Sequence, residues 1–164
     1  SNAFRLGIPL MERIVTMSGD CYNSPVNLCV PLGVPFSHLI EQAGGFSKQP
    51  QKFIMGGPMM GIAVPDLNQP ILKNTNAIIA MNEADATPPP ATACIKCGRC
   101  VDVCPMELKP LWFAKYADTE NWEGMKAQNV MDCMECRCCE YICSSKIPLV
   151  TKIKAGKAAV RGMK

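Results

Sequence analysis

The sequence predicts an α+β protein in two parts, a small mixed-sheet unit followed by a helical unit that carries most of the cysteines. Three observations lead to this prediction. Strand-like and helix-like segments alternate between residues 11 and 83. Three consecutive prolines, at positions 88–90, then interrupt the pattern. Two copies of one cysteine pattern follow, and the stretch between them has helical character.

The first unit is predicted from its apolar runs. Residues 13–17 form a short apolar run that ends at a turn, and residues 26–30 alternate between apolar and polar with the period of a strand. Ser37 is predicted to cap a short helix that ends at a glycine pair. Residues 52–55 and 77–81 predict two further strands. This order of segments indicates one helix packed on a mixed sheet.

Eight of the eleven cysteines fall into two copies of the pattern C-x2-C-x2-C-x3-C, placed 39 residues apart. In bacterial ferredoxins, three thiolates of such a run ligate one [4Fe–4S] cluster and the fourth ligates the other cluster. The predicted assignment is therefore crossed. One cluster would be held by Cys94, Cys97, Cys100 and Cys143, and the second by Cys104, Cys133, Cys136 and Cys139.

Other interpretations of the cysteines fit the pattern less well. Zinc favours two separated C-x2-C pairs, so a third cysteine two residues after the second suits a cubane better. A disulfide cage is typical of secreted proteins, and nothing in the sequence indicates secretion. Cys138 and Cys139 compete for one ligand position, and Cys139 is preferred because it repeats the offsets of the first copy. Cys21 and Cys29 are expected to be buried or half-buried thiols.

No catalytic set is predicted. The glycine-rich segment at residues 56–61 is neither a dinucleotide-binding fingerprint nor a P-loop. We expect a tight loop between strands, with a ligand or partner contact as the alternative. His38 is expected on a helix face, and no serine–histidine–acid set or pair of catalytic carboxylates can be assembled. Electron transfer through clusters needs no acid, base or nucleophile.

Charge is distributed unevenly along the chain. Residues 1–90 carry a net charge of −1 and residues 91–164 a net charge of +4, within a total of +3. Because each oxidised cluster with its four thiolates contributes about −2, the basic excess is expected to compensate for the clusters rather than to bind nucleic acid. No apolar run of 18 or more residues occurs, so no segment is predicted to span a membrane.

Helices are predicted to join and follow the two cluster loops. Pro110 can begin a helix that runs to about Asp118, a second helix is predicted over residues 120–128, and Pro148 can begin the last one. Four aromatic residues are expected to pack in the core, namely Trp112, Phe113, Tyr116 and Trp122.

The last helix combines an apolar stripe with a basic remainder. The stripe comprises Leu149, Ile153, Gly156, Val160 and Met163, and the basic residues off it are Lys152, Lys154, Lys157, Arg161 and Lys164. The basic residues predict either a solvated face or a docking surface for an acidic partner or an anionic membrane.

The cysteine runs at residues 94–110 and 133–148 closely resemble the C subunit of the Rnf electron transport complex, as do residues 56–61 and 73–76. The resemblance covers nearly the whole chain after residues 1–3, which look like the remnant of a purification tag. It implies that the first unit is a soluble-ligand-binding β-grasp (SLBB) domain. The predicted domains are the SLBB-like domain at 4–83, a proline-rich linker at 84–93, a helical ferredoxin-like domain at 94–146 and a C-terminal basic helix at 147–164.

The resemblance implies a bacterial membrane complex that moves electrons between ferredoxin and NAD and couples this transfer to ion pumping. This chain would lie peripherally on the cytoplasmic face of the inner membrane. It would contact other subunits, and ferredoxin or another redox protein is a further expected partner. In the family, FMN and NADH bind an upstream domain. We therefore expect this chain to bind neither of them and to have no complete catalytic activity by itself.

Two departures from the pattern concern the second motif. Ser144 follows Cys143 where the pattern prefers proline, which predicts a looser turn or an altered cluster potential. Arg137 stands where the first copy has Gly98. Two alternative functions stay open. One is a fragment of a cobalamin-reductase-like iron–sulfur flavoprotein, in which the β-grasp block tends to follow the clusters, and the other is a zinc-bound structural adaptor.

Overall fold

The computed structural model describes residues 2–163 and divides the chain into two compact units, residues 1–88 and 89–164. The tag interpretation of Ser1 and the predicted basic side chain of Lys164 lie outside the described residues. Within residues 2–163, every helix is too short or too polar to cross a bilayer. The elements of the first unit are α1 (Asn2–Leu6), β1 (Glu12–Ser18), β2 (Val26–Pro31), α2 (Phe36–Gln42), β3 (Lys52–Met55), β4 (Ile62–Val64), β5 (Ala77–Met81) and α3 (Glu83–Ala86).

The strands of the first unit form one mixed sheet in the order β2-β1-β5-β3-β4. Strands β1 and β5 are parallel, and every other neighbouring pair is antiparallel. Val15 and Met17 of β1 and Ile78 of β5 are fully buried, in one core with Phe36 and Leu39 of α2. The predicted α+β class, with one helix packed on a mixed sheet, is confirmed for this unit.

The strand predictions hold for four of the five strands. Strand β4 was missed because it has only three residues, two of them exposed, which is too short to show a period. The predicted cap at Ser37 is wrong, since Pro35 is the N-cap and makes no side-chain capping bond. The predicted end of α2 is confirmed. Gly44 and Gly45 adopt φ values of 78° and 72° there, which glycine tolerates without strain.

Two other expectations for this unit are wrong in part. Cys21 is fully buried as expected, but Cys29 is exposed because it alternates with buried Val30 on the edge strand β2. The segment 84–93 is not extended throughout, because α3 extends into it. Asn82 caps this short helix by accepting a hydrogen bond from the backbone N–H of Asp85 at 3.1 Å.

Tyr22 carries an unpaired hydroxyl in the core of the first unit. Its ring centroid lies 5.3 Å from that of Phe46, and no partner for its buried hydroxyl lies within residues 2–163. Burial raises the pKa of Tyr22. Because an unsatisfied buried hydroxyl costs about 1–3 kcal/mol, Tyr22→Phe is expected to raise the free energy of unfolding by about 1 kcal/mol in chemical denaturation. The control Tyr141→Phe, at a residue 76% exposed, should leave it unchanged, and equal effects would contradict the prediction.

The second unit repeats one structural plan twice. Helices α4 (Arg99–Asp102) and α7 (Cys138–Tyr141) begin inside the two cysteine motifs, and α5 (Pro110–Asp118) and α8 (Leu149–Gly162) follow them. Each helix of the second copy begins 39 residues after its counterpart, which is the spacing of the cysteines. Between the copies lie α6 (Trp122–Ala127) and a 3₁₀ turn (Val130–Asp132).

The predicted helices of the second unit are present. Helix α5 has the predicted bounds, α6 is shorter than predicted, and α8 begins directly after Pro148. Phe113, Met125 and Ile153 are fully buried and form the centre of their common core. Gly156 permits this packing, since a Cβ there would lie 2.3 Å from the Met125 Cε atom.

The aromatic residues of α5 are only partly in the core. Trp112 is 38% exposed, contrary to the prediction, because it lies on the side of α5 away from Phe113. Its ring stacks on that of Tyr116 with 6.1 Å between centroids, and the Lys115 ammonium lies 5.1 Å from its centroid. Tyr116 and Trp122 are partly buried against the core.

Candidate metal centre

The eight motif cysteines divide between two cavities of the second unit. Site A is the cavity lined by Cys94, Cys97, Cys100 and Cys143. Site B is the cavity lined by Cys104, Cys133, Cys136 and Cys139. Each site therefore combines the triplet of one motif with the fourth cysteine of the other.

Left-handed backbone at equivalent positions shapes both cysteine loops. Gly98 and Arg137 have φ values of 80° and 64° and directly precede α4 and α7. The other equivalent left-handed pairs are Lys96 with Glu135 and Glu107 with Lys146. Arg137 thus adopts the conformation of the glycine it replaces, at a cost of about 1 kcal/mol. Its guanidinium forms an ion pair with Glu140 at 3.2 Å, which holds it there.

The turn after the fourth cysteine is the same in both copies, so the looser turn expected at Ser144 is not observed. The backbone N–H three residues further on donates to the cysteine carbonyl, at 3.1 Å after Cys104 and 3.2 Å after Cys143. Buried Ser145 ties the second turn to the start of the unit, because its Oγ donates to the carbonyl of Ala93 at 2.9 Å.

The two sites differ in exposure. Cys94 and Cys97 of site A are exposed, whereas Cys139 of site B is buried. Burial raises the pKa of Cys139 to about 12, and the neighbouring thiols of Cys133 and Cys136 contribute to this rise. A metal must displace the proton of such a thiol in order to bind, which couples binding to proton release.

Backbone N–H groups point at two sulfur atoms of site B. The N–H of Leu108 donates to the Cys104 Sγ, and the N–H of Glu135 donates to the Cys133 Sγ, each at 3.4 Å. Hydrogen bonds to ligand sulfurs are one of the features that set the potential of an iron–sulfur cluster. The fold therefore supplies potential-tuning contacts at site B.

The donor set fits a pair of cubanes, since each of the four irons of a cubane takes one thiolate. Among residues 2–163, no three His, Cys, Asp or Glu side chains come close enough to hold one metal ion, as a zinc site requires. The cavity of site A has a volume of about 640 Å³. That of site B is about 20 Å³, about the space of one water, so its thiols must move apart to hold a cubane.

Other residues singled out in the sequence lie away from the two cavities. Cys138 is not among the described residues that line either one. A hydrogen bond with the Cys136 thiol raises the pKa of Cys138. His38 is half exposed on α2. The segment 56–61 forms the predicted loop between β3 and β4, in which a Cβ at Gly61 would lie 2.3 Å from an Ile54 side-chain carbon.

Sequence reasoning missed the role of Lys157. This residue is only 7% exposed, and its Nζ donates to the Cys133 carbonyl at 2.5 Å and to the Glu135 carboxylate at 2.9 Å. Lys154 pairs with the same carboxylate at 3.6 Å. The predicted basic face of α8 is therefore partly neutralised within the unit. No local signal marks Lys157, because its partners lie 22 and 24 residues away in the chain.

Lys157→Met is expected to destabilise site B, because it leaves a carbonyl and the Glu135 carboxylate without their buried partner. Hydrogen bonds to charged groups contribute about 1.5–3 kcal/mol, so we expect a loss of about 2 kcal/mol in the unfolding free energy of the iron-loaded chain. Lys154→Met is the matched control, since that side chain is 54% exposed and contacts the same carboxylate. It should cost less than about 1 kcal/mol. Equal losses would count against the prediction.

Both units match known domain families. Residues 14–63 match the SLBB domain, and residues 93–147 match the 4Fe-4S dicluster domain. The SLBB domain thus precedes the dicluster domain, which is the order expected for the Rnf family and not for the cobalamin-reductase alternative.

Curated relatives match nearly the whole chain. The C subunit of the Na(+)-translocating ferredoxin:NAD(+) oxidoreductase complex of Acetobacterium woodii is 40% identical over 94% of this chain and 35% of its own length. The corresponding subunit of the proton-translocating complex of Clostridium ljungdahlii is 37% identical over 80% of this chain and 29% of its own length. That of the ion-translocating oxidoreductase complex of Pseudomonas aeruginosa is 40% identical over 98% and 21%, respectively.

The chain therefore spans about a third or less of the length of these relatives. The matched part holds an SLBB domain followed by a 4Fe-4S dicluster domain, in the order that the sequence predicts. The chain is thus homologous to this part of the C subunit of the Rnf-type, ion-translocating oxidoreductase complexes.

Proposed function

We propose that this chain relays electrons through two [4Fe–4S] clusters as part of a membrane-associated ferredoxin:NAD oxidoreductase that translocates ions. One observation carries the proposal, namely the division of the eight cysteines into two sites that each join a triplet to the fourth cysteine of the other motif. This crossed arrangement is that of two-cluster ferredoxins. The match to the dicluster domain and the names of the relatives support it.

In this proposal the thiolates of each site hold one cluster. A bound cluster supplies one-electron exchange with little change in shape, so the protein contributes ligation, spacing and a dry setting. At site B the dry setting comes from apolar lining residues, namely Leu108, Phe113, Val150 and Ile153. Their burial excludes water from the space among the four sulfur atoms.

The proposed partners are the other subunits of such a complex, with ferredoxin or another one-electron protein as donor or acceptor. The relatives support the first part of this statement, because they are subunits of oxidoreductase complexes. The chain is proposed to lie peripherally on the cytoplasmic face of the bacterial inner membrane. FMN and NADH are proposed to bind elsewhere in the complex.

Anaerobic purification followed by iron and sulfide determination and EPR spectroscopy tests the proposal. We expect about eight irons and eight sulfides per chain, and a brown colour that bleaches with dithionite. The reduced sample should give two EPR signals, or one signal broadened by coupling between the clusters. A colourless chain that retains stoichiometric zinc would overturn the proposal in favour of the structural adaptor.

A further inference from the structure

We propose that the rim of site A is a docking surface for an acidic protein that carries a one-electron centre. The rim is defined here by Lys96, Arg99 and Lys115, which line the mouth of the cavity, together with Ile95. This inference rests on the proposed function and deepens it, because the surface matters only if site A holds a cluster. It assigns external electron exchange to site A and not to site B.

Exposure distinguishes site A from site B. Two of the ligand positions of site A, Cys94 and Cys97, are exposed, and Ile95 between them is 68% exposed. In site B none of the four cysteines is exposed, and Cys139 is buried. Because the rate of electron transfer falls steeply with distance, a partner reaches a cluster at site A more easily than one at site B.

Charge gives the second distinction. Lys96, Arg99 and Lys115 are exposed, and none has a carboxylate within 4.0 Å among residues 2–163. The fourth cation that lines site A, Lys152, pairs with Asp118.

The cations beside site B are paired instead. Arg137 binds Glu140, and Lys154 and Lys157 both bind Glu135. The unpaired positive charge around the clusters is therefore concentrated at the more open site.

Three free cations around an exposed apolar residue fit an acidic protein surface. The cations can steer an acidic partner to the cluster, and such steering raises association rates by about 10-fold to 1,000-fold at low ionic strength. The side chain of Ile95 offers the apolar contact that lies inside a polar rim in protein interfaces. An anionic membrane would use the same charges, and the experiment separates the two occupants.

The experiment measures electron transfer from the iron-loaded, dithionite-reduced chain to two haem proteins in a stopped-flow instrument. Cytochrome b5 is the acidic acceptor and cytochrome c is the basic one. In each reaction one electron leaves a reduced cluster and converts the ferric haem to ferrous. We expect the rate with cytochrome b5 to fall as salt is added, because added ions screen the attraction.

The variant Lys96→Glu/Arg99→Glu/Lys115→Glu reverses the charge of the rim. We expect it to lower the rate with cytochrome b5 at least tenfold at low salt and to raise the rate with cytochrome c. The matched control is Arg5→Glu/Lys73→Glu/Lys126→Glu, which changes the net charge equally at three exposed residues outside the rim. The control should lower the cytochrome b5 rate less than about threefold. Equal slowing by both variants would overturn the inference.

Two further measurements keep the outcomes distinct. The single variant Lys115→Glu lies on α5, away from the cysteine loops, and should slow the cytochrome b5 reaction about threefold even if the triple variant loses iron. Sedimentation with phosphatidylserine–phosphatidylcholine vesicles tests the membrane. Rim-dependent vesicle binding with an unchanged cytochrome b5 rate overturns the acidic-protein partner. A fully loaded chain whose rate ignores the rim refutes this inference alone, whereas a chain without clusters refutes the proposed function as well.

Discussion

Replacing Cys104 by alanine is expected to empty site B, and replacing Cys143 is expected to empty site A, although each residue belongs to the other site's motif in sequence. Each variant should fall from about eight irons per chain to about four, because a cubane that loses a thiolate ligand is readily lost. Iron determination and EPR on anaerobically loaded protein measure the effect. Cys138→Ala and Cys29→Ala are the controls, since neither residue lines a site, and both should retain about eight irons.

Double variants test the crossing itself. Cys104→Ala combined with Cys136→Ala removes two ligands of site B and should lose no more iron than either single variant. Cys104→Ala combined with Cys97→Ala removes one ligand from each site and should lose nearly all of it. If the second pair retained half of its iron and the first pair lost all of it, Cys104 would belong with its own motif and the crossed assignment would be wrong.

Gly19→Ala is expected to cost more than about 4 kcal/mol and to unfold the first unit under conditions in which the parent is folded. Gly19 has a φ of 117°, and a Cβ on it would lie 2.2 Å from the carbonyl oxygen of Ala80, in the backbone of β5. Ala80 is fully buried in the sheet, so its backbone cannot move aside without disturbing the core. Chemical denaturation followed by circular dichroism measures the loss.

The control for Gly19→Ala is Gly33→Ala. Gly33 also has a positive φ, of 93°, but a Cβ there meets nothing within 4 Å. It should therefore show the backbone strain alone, at about 1–2 kcal/mol. If both variants lost the same amount, the close approach to Ala80 would not contribute.

Much of the local structure could be predicted because local chemistry is written along the chain. Alternation over residues 26–30 is enough to predict β2, and Pro110 and Pro148 mark the starts of α5 and α8. Equal cysteine spacing predicted a structural repeat of 39 residues, and the helices follow it. Strand β4 escaped because three residues carry no period.

The candidate site was predicted only at the level of ligands. Spacing along the chain indicates which thiolates could share a cluster, because C-x2-C-x2-C gathers three sulfurs in one loop. Spacing cannot indicate which cations near a cluster are free. Lys96 and Lys157 look alike in sequence, yet the first is exposed and unpaired among the described residues, whereas the second is buried on Glu135.

The sequence by itself determined the repeat, the eight thiol positions and most helix and strand boundaries, since each depends on residues within a few positions of one another. Only the tertiary structure decided that Cys29 is exposed, that Lys157 lies beneath the second cysteine loop and that the free positive charge gathers at site A. Burial and ion pairing depend on contacts between residues far apart in the chain, such as those of Lys157 with Glu135, and no local pattern encodes them.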